Sequence, residues 1–216
     1  LGLMIDGASN ASVGDVNVNG TPYEVKAQHA RLSTQNGFGN ATAGIRAFMK
    51  DVAKVDPDLS GKYPVNKKEE IQRFNLKRKK KDASSLYTIL SESGKNKEKL
   101  IGSAADRIFA GPTGIWPNSN GIIKKNVRAS IKKFVNNNNY EAAVVTFNYE
   151  MMYNNILYYQ TQEYFNGIFL INDKKGSFAY FDVAKGNSKW LEKYCSYVQP
   201  SFQDTPTMNA WKITLK

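Results

Sequence analysis

The chain has 216 residues, of which 30 are Lys or Arg and 19 are Asp or Glu, so its formal net charge is +11. Hydrophobic residues make up 41% of the chain and aromatic residues 12%, which excludes a fully disordered protein and suits a globular fold with one sizeable core. One cysteine and one histidine exclude a disulfide framework and a Cys/His zinc cluster.

These counts also limit the chemistry and the surroundings of the chain. Any metal site must use oxygen ligands, which suits Mg²⁺, Mn²⁺ or Ca²⁺. A single cysteine is typical of a reducing compartment, and the longest apolar runs, such as Gly167 to Asn172, have the length of a strand rather than of a membrane span. We therefore expect a cytoplasmic protein without a membrane partner, whose excess of positive charge binds an anionic partner.

The first part of the chain predicts strands and turns. Residues Asp15 to Val18 alternate between polar and apolar, Asn19-Gly20 is a strong signal for a two-residue hairpin turn, and the alternation resumes from Tyr23 to Gln28. The stretch from Ser33 to Gly44 is rich in Gly, Asn, Ser and Thr, which predicts a loop. Residues Leu1 to Ile5 show neither an initiator methionine nor a signal-peptide start, so we expect the chain to begin inside a longer one.

The middle of the chain predicts helices. Apolar residues recur at helical spacing in four successive stretches, and Pro57 and Gly61 are expected to end the first helix. The four sets are Ile45, Phe48, Met49 and Val52; Ile71 and Phe74; Leu86, Ile89 and Leu90; and Leu100, Ile101, Ala104 and Ile108. A fifth helix is predicted from Ile123 to Val135, and its polar face carries Lys124, Lys125, Arg128, Lys132 and Lys133. A basic face is ordinary on an amphipathic helix, so contact with an anionic partner there stays open.

The last third of the chain is apolar and aromatic. Periodicity leaves Tyr140 to Tyr159 open between helix and strand, and the aromatic residues from Tyr149 to Phe181 are expected to be mainly core. Two runs, Gly167 to Ile171 and Ser177 to Val183, flank a polar turn and predict a second hairpin. Because there is no internal repeat and no long linker, residues 1–216 are expected to form a single domain, with a basic helical insertion at about 56–112.

The first hairpin brings charged residues onto one face. A two-residue turn at Asn19-Gly20 places Asp15 directly opposite Glu24 on the neighbouring strand. Lys26 and Gln28 then follow on the same face as Glu24, because side chains alternate along a strand. The other face is apolar and is expected to pack against a helix; it carries Val16, Val18, Tyr23 and Val25.

Two facing carboxylates destabilise a strand pair unless a cation neutralises them. Asp15 and Glu24 are therefore candidate ligands for Mg²⁺, which usually takes one or two carboxylates, several waters and a substrate phosphate. Such an ion polarises a phosphoryl oxygen, and Lys26 is placed to position a water or to stabilise developing charge. The pattern indicates metal-assisted hydrolysis of a phosphodiester. The alternative is an ordinary surface hairpin on which the three charged residues form a solvated cluster.

Asp15, followed on the next strand by Glu24-Val25-Lys26, resembles the D…ExK core of the PD-(D/E)xK nuclease superfamily, which includes many restriction endonucleases, Holliday-junction resolvases and phage exonucleases. The resemblance covers about residues 12 to 31. It implies that Asp15 and Glu24 ligate the metal and that Lys26 assists the attacking water, while Gln28 matches a polar residue often found two positions after the lysine. It also implies an α/β, restriction-endonuclease-like fold with a mixed central sheet flanked by helices, in a bacterial or phage-infected cell or a virion.

One part of the family pattern is missing. Its members usually carry an acidic residue on a helix before the Asp strand, whereas Asp6 is the only acid that precedes Asp15 in this chain. Because Leu1 to Ile5 resembles the end of a helix, the missing acid is expected on a segment that precedes Leu1. The alternative is a degraded, inactive site.

Most of the positive charge lies in one segment. Residues 62–81 contain nine basic and two acidic residues, so they carry +7 of the net +11, which is typical of a phosphate-binding surface. A solvated or disordered loop and a targeting signal are the alternatives for this segment. Arg31 and Arg46, just beyond the hairpin, are placed to reach phosphates near the scissile bond. The candidate DNA-binding residues are Arg31, Arg46, Lys67, Lys68, Lys77, Arg78, Lys79, Lys80 and Lys81.

Together these features predict a Mg²⁺-dependent or Mn²⁺-dependent deoxyribonuclease, with an endonuclease favoured over an exonuclease. DNA is the expected partner, and the oligomeric state stays open, with a homodimer among the options. A first alternative is a non-catalytic DNA-binding or virion-associated protein that kept the fold and lost the upstream acid. A second is a protein-interaction domain whose basic loop docks on an acidic partner.

Overall fold

Helices and strands both contribute to the fold, and the computed structural model describes residues 8–10, 14–27, 30–31, 41–77, 82–109, 121–199, 202 and 212–216. Within these ranges the chain is a mixed α/β protein. The helices are α1 (Ala41–Val55), α2 (Pro57–Lys62), α3 (Lys68–Gln72), α4 (Ser85–Glu92), α5 (Lys97–Ala104), α6 (Ile122–Val135), α7 (Tyr140–Glu163) and α8 (Ser188–Tyr194). The strands are β1 (Ala8–Asn10), β2 (Val16–Val18), β3 (Thr21–Lys26), β4 (Ala30–Arg31), β5 (Gly167–Asn172), β6 (Ser177–Asp182), β7 (Cys195–Val198) and β8 (Lys212–Leu215).

Five of these strands form a mixed sheet in the order β1-β2-β3-β5-β6. All neighbours in it are antiparallel except β3 and β5, which are parallel. Parallel neighbours need a long crossover connection, and here the helices α1 to α7 lie within that crossover. A second, antiparallel sheet has the order β4-β8-β7, and the Asn172 side chain joins the two sheets by donating to the Leu215 carbonyl at 2.9 Å.

The first hairpin has the turn that its sequence predicts. Asn19 and Gly20 both have positive φ, at 50° and 83°, which is the geometry of a two-residue turn that matches the twist of the flanking strands. Val16 pairs with Tyr23, which confirms the expected register of β2 on β3. The pairing of β3 with β2 is therefore as predicted from the turn to Val16.

The predicted helical faces are buried, but the end of the first helix differs from the prediction. α1 ends at Val55, and Pro57 opens a new helix, α2, instead of only closing the previous one. Asp56 caps α2 by accepting a hydrogen bond from the Leu59 amide at 2.9 Å, and proline is well suited to the first helical position. Gly61 lies inside α2, so the prediction that it ends a helix was wrong.

The segment that periodicity left open is the helix α7, and it has neighbours on several sides. Phe147 stacks on Phe134 of α6 with ring centroids 4.8 Å apart, and the Tyr149 hydroxyl donates to the Cys195 carbonyl of β7 at 2.8 Å. A helix with neighbours all round carries apolar residues all round, so it lacks the amphipathic period that identifies a surface helix.

Among the described residues, no helix combines the length and apolar character that crossing a bilayer requires.

The second hairpin is also confirmed, with β5 and β6 joined by a helical turn at Asp173–Lys175. The aromatic residues around it divide between core and surface. Phe165 and Phe181 are buried, whereas the Phe178 ring is 75% exposed. The expectation that this aromatic stretch is mainly core therefore holds for α7 and for one face of the hairpin.

The helix on the first hairpin lies on the face opposite to the one expected. Tyr159 of α7 contacts Glu24 and Lys26, while Tyr23, on the other face, packs on Phe169 and Tyr180 with ring centroids 5.4 and 5.8 Å apart. The prediction that the Tyr23 face packs against a helix is corrected accordingly for the described part of the chain. The polar face can be covered because its charged groups bond to one another and to a tyrosine hydroxyl.

Candidate functional site

Three of the predicted site residues come together at the margin of the β2–β3 pair. The Lys26 ammonium makes a short ion pair with Glu24 Oε1, and its nitrogen lies 3.9 Å from Asp15 Oδ2. Both carboxylates are therefore directed toward one positive centre. The hairpin pattern predicted that these residues share a face, but it did so through a direct pairing of Asp15 with Glu24 that the strand ladder does not contain.

The position of Asp15 follows from the end of the β2–β3 ladder. Regular pairing stops at Val16, and the Asp15 amide donates to the Tyr23 carbonyl at 2.9 Å. Asp15 Oδ2 then accepts a hydrogen bond from the Val25 amide at 2.8 Å. Asp15 thus lies one residue beyond the paired strand instead of directly opposite Glu24, and its carboxylate replaces the backbone carbonyl that a longer ladder would supply to Val25.

Gly14 allows this close approach of the two strands. Its φ is 73°, and a Cβ at this position would lie 2.8 Å from the Tyr23 carbonyl oxygen. Any side chain there would both strain the backbone and collide with β3. Gly14 therefore allows Asp15 to lie against β3.

Burial differs sharply across the cluster. The Glu24 side chain is 4% exposed and that of Lys26 is 14% exposed, whereas that of Asp15 is 50% exposed. The alternative of a fully solvated surface cluster does not describe this arrangement. Ionic interactions are stronger where water is excluded, so the site has a dry side at Glu24 and an open side at Asp15.

Tyr159 completes the site, although the hairpin motif does not include it. Its hydroxyl donates to Glu24 Oε1 at 2.7 Å, and its ring centroid lies 5.3 Å from the Lys26 nitrogen. The sequence could have indicated Tyr159 as a site residue only if residues 140–159 were assigned as a helix. A helix that leads into a strand parallel to β3 has to pack on the sheet, and Tyr159 is near its last turn.

The donor atoms at this site fit a hard divalent cation. In the described ranges no three residues of the types His, Cys, Asp and Glu come together as a metal site, so the side-chain donors are the carboxylates of Asp15 and Glu24. Mg²⁺ commonly takes one or two carboxylates and completes its shell with water. The Lys26 ammonium occupies the place where both carboxylates meet, so positive charge is accommodated there.

The remaining predicted residues divide between those that the structure describes and those that lie outside its described ranges. Gln28, Asp6 and residues 78–81 (Arg78, Lys79, Lys80 and Lys81) lie outside the described residues, as does the side chain of Arg31 on β4. Arg46 is exposed on α1, and its Nε donates to the Val65 carbonyl at 3.3 Å. Among the predicted DNA-binding residues, the lysines that the structure describes are exposed to solvent: Lys67, Lys68 and Lys77.

The basic face of α6 is partly neutralised by three acids from other helices. Four of its five cations form ion pairs, and the fifth, Lys125, is exposed. The pairs are Lys124–Asp106 at 2.9 Å, Arg128–Asp106 at 3.1 Å, Lys132–Glu98 at 2.5 Å and Lys133–Glu150 at 2.5 Å. This favours the ordinary interpretation of the face. The described lysines Lys67, Lys68 and Lys77 of the basic segment are exposed to solvent.

Two other potentially reactive groups, the Cys195 thiol and the Asp51 carboxyl, have environments that suit a structural role. Cys195 is buried, and burial raises the pKa of its thiol to about 12, which disfavours the thiolate that a nucleophilic cysteine needs. Burial opposes ionisation of Asp51, but hydrogen bonds from Lys54, Ser103 and Arg107 outweigh it and lower the pKa of this carboxyl. Asp51 therefore ties α1 to α5 and the turn that follows it.

Comparison of the chain with protein-family models, with curated proteins and with solved structures gives no match. The family resemblance accordingly rests on the hairpin motif of Asp15, Glu24 and Lys26. What can be said of function follows from the geometry of these residues and of Tyr159.

Proposed function

We propose that this protein is a Mg²⁺-dependent or Mn²⁺-dependent nuclease that hydrolyses DNA phosphodiester bonds, an endonuclease rather than an exonuclease. The observation that carries the proposal is the convergence of the Asp15 and Glu24 carboxylates on the Lys26 ammonium. A metal-dependent phosphodiesterase needs two acids for the ion, one cation for developing charge and an open side for the substrate. The half-exposed Asp15 side is that opening.

The architecture agrees with the fold that the resemblance implies. The mixed sheet contains the motif hairpin in β2 and β3, and α7 covers the face that carries Glu24. We therefore propose a restriction-endonuclease-like domain over residues 1–216. The helices α2 to α5 belong to its basic insertion at about 56–112.

In this proposal each side chain has a distinct role. Asp15 and Glu24 hold the metal, which when bound polarises the phosphoryl oxygen and lowers the pKa of an attacking water. Lys26 orients that water or stabilises negative charge on the phosphoryl oxygens. The Val25 amide and the Tyr159 hydroxyl hold the two carboxylates in place before substrate binds, which reduces the cost of ordering them.

DNA binding is assigned to positive charge that is left exposed to solvent. Lys67, Lys68 and Lys77 are exposed, and they belong to the segment that carries most of the net charge. Binding through such residues is independent of sequence and depends steeply on salt. The full proposed set adds Arg31, Arg46, Arg78, Lys79, Lys80 and Lys81.

The proposal is tested by incubating supercoiled plasmid with the protein and Mg²⁺ or Mn²⁺. We expect the wild type to convert the plasmid to nicked and linear forms, with EDTA preventing this. Asp15→Asn, Glu24→Gln and Lys26→Ala should each lower the rate by about a hundredfold or more, because each removes a metal ligand or the charge-stabilising group. Asp106→Asn is the matched control, since that carboxylate also has two basic partners but lies between α5 and α6. Equal cleavage by the wild type and the three site variants would contradict the proposal.

A non-catalytic DNA-binding protein with the same fold is the second candidate. It is favoured by the presence of two rather than three clustered acids in the described part of the chain. Salt-dependent binding of DNA without cleavage would support it. Absence of DNA binding at low salt would instead favour a protein partner with an acidic surface.

A further inference from the structure

We infer that Lys26 is a built-in counter-ion that competes with the divalent cation for Asp15 and Glu24, so that metal binding releases it. This inference rests on the proposed function, because it concerns the same metal site. The two carboxylates proposed as metal ligands are the two that the ammonium contacts. The ammonium and the metal therefore compete for the same negative charge.

The burial of Glu24 explains why a counter-ion is required. A carboxylate that is 4% exposed loses most of its hydration, which is costly unless a cation and hydrogen-bond donors replace the water. Lys26 supplies the charge, and the Tyr159 hydroxyl donates to the same oxygen, Oε1. A metal that binds this oxygen has to displace the ammonium from it, because the two cations repel each other at such short range.

The displaced ammonium has a nearby alternative position. The Lys26 nitrogen already lies 5.3 Å from the centroid of the Tyr159 ring, and an aromatic face attracts a cation at that distance. The flexible stem of lysine allows a small shift from Glu24 toward this ring without unfolding the strand. The amine then stays at the site while its ion pair with Glu24 breaks, so the group that assists the water becomes available only in the metal-loaded protein.

The test is a calorimetric titration of Mn²⁺ into the full chain without DNA. Lys26→Met removes the competing charge and nearly preserves the length of the side chain, and we expect it to bind Mn²⁺ at least about tenfold more tightly than the wild type. Lys133→Met is the matched control, since that lysine also pairs with a mostly buried glutamate, Glu150, at 2.5 Å, between α6 and α7. Its Mn²⁺ affinity should equal that of the wild type.

Thermal unfolding gives a readout that does not depend on catalysis. Without metal, Lys26→Met should melt at a lower temperature than the wild type, because Glu24 loses its counter-ion. Saturating Mn²⁺ should raise its melting temperature more than that of the wild type. If Lys26→Met does not fold, Lys26→Gln keeps a hydrogen-bond donor while removing the charge, and the same comparison applies.

The outcomes separate this inference from the proposed function. Equal or weaker Mn²⁺ binding by Lys26→Met, together with loss of binding in Asp15→Asn, overturns the competition and leaves the metal site intact. Absence of Mn²⁺ binding in the wild type and in every variant overturns both the competition and the proposed metal site. Tighter binding by Lys26→Met that disappears in the Lys26→Met/Glu24→Gln double variant supports the inference.

Discussion

Glu24 and Asp15 are the same chemical group in two different settings. Glu24 is nearly inaccessible and bonds to Lys26 and Tyr159, whereas Asp15 is half exposed and bonds to the Val25 amide. A buried carboxylate held by two side chains is fixed in direction, while an exposed one can adjust to a substrate. At the residue scale, the cluster therefore combines one rigid and one accessible carboxylate.

Removing the Tyr159 hydroxyl should loosen the buried carboxylate of Glu24. Tyr159→Phe keeps the ring near Lys26 but deletes the donor to Glu24 Oε1, which should lower the free energy of unfolding by about 1–3 kcal/mol, as for other hydrogen bonds to charged groups. Because the carboxylate is then less well oriented, Mn²⁺ affinity and plasmid cleavage should fall as well. Urea unfolding, Mn²⁺ titration and the plasmid assay measure the three effects.

Tyr153→Phe is the control for this experiment. Tyr153 lies on the same helix, and its ring packs edge to face on Phe181 with centroids 6.3 Å apart. The loss of its hydroxyl should leave Mn²⁺ affinity and cleavage unchanged. A Tyr159→Phe protein that is less stable but binds Mn²⁺ as the wild type does would show that Tyr159 only supports the fold.

At the scale of elements, α1 lies unusually close to the turn of helix that follows α5. A Cβ added at Gly44 of α1 would overlap the Arg107 carbonyl oxygen, so only glycine fits this crossing. The same crossing brings Asp51 of α1 to Ser103 at 2.9 Å and Arg107 at 3.3 Å. The sequence pattern placed Gly44 at the end of a loop, whereas the structure places it within α1 as a contact residue.

Gly44→Ala should therefore be strongly destabilising. Overpacking against a backbone carbonyl forces the two elements apart, and we expect the free energy of unfolding to fall by about 1–3 kcal/mol or more. Gly61→Ala is the opposite case, because a Cβ there meets nothing within 4 Å and alanine favours the helix by up to about 1 kcal/mol. Chemical denaturation of both variants checks the difference, and equal stability would contradict the close packing of α1.

At the scale of the whole molecule, the net charge of +11 is unevenly neutralised. Four cations of α6 form ion pairs with acids of neighbouring elements, while Lys67 and Lys68 are exposed at the start of α3. Paired cations contribute less to an external field than exposed ones, so we propose that an anionic polymer binds at the exposed lysines on the α3 side of the molecule.

The salt dependence of DNA binding should distinguish the two surfaces. Lys67→Gln/Lys68→Gln should weaken binding and reduce the slope of log affinity against log salt by about one for each phosphate that the variant no longer neutralises. Lys132→Gln/Lys133→Gln removes the same charge from the paired face and should change the slope less. Fluorescence anisotropy with a labelled duplex measures both, and equal slopes would place the DNA-binding surface elsewhere.

Much of the site was predictable because its parts lie close together in the chain. Turn chemistry at Asn19-Gly20 and the alternation of β3 placed Glu24 and Lys26 on one face, and the structure confirms their contact. Tyr159 could not be found in this way, because it is 135 residues from Glu24 and its segment has no clear period. A buried helix loses the amphipathic pattern on which such predictions depend.

The sequence by itself determined the two hairpins, the register of β2 on β3 and the faces of most helices, because these depend on neighbouring residues. Tertiary structure alone decided which face of the first hairpin α7 covers, how deeply Glu24 is buried and which cations of α6 are neutralised. Each of these depends on contacts between segments far apart in the chain. Those contacts bury Glu24, leave Asp15 half exposed and place the Tyr159 hydroxyl against the cluster.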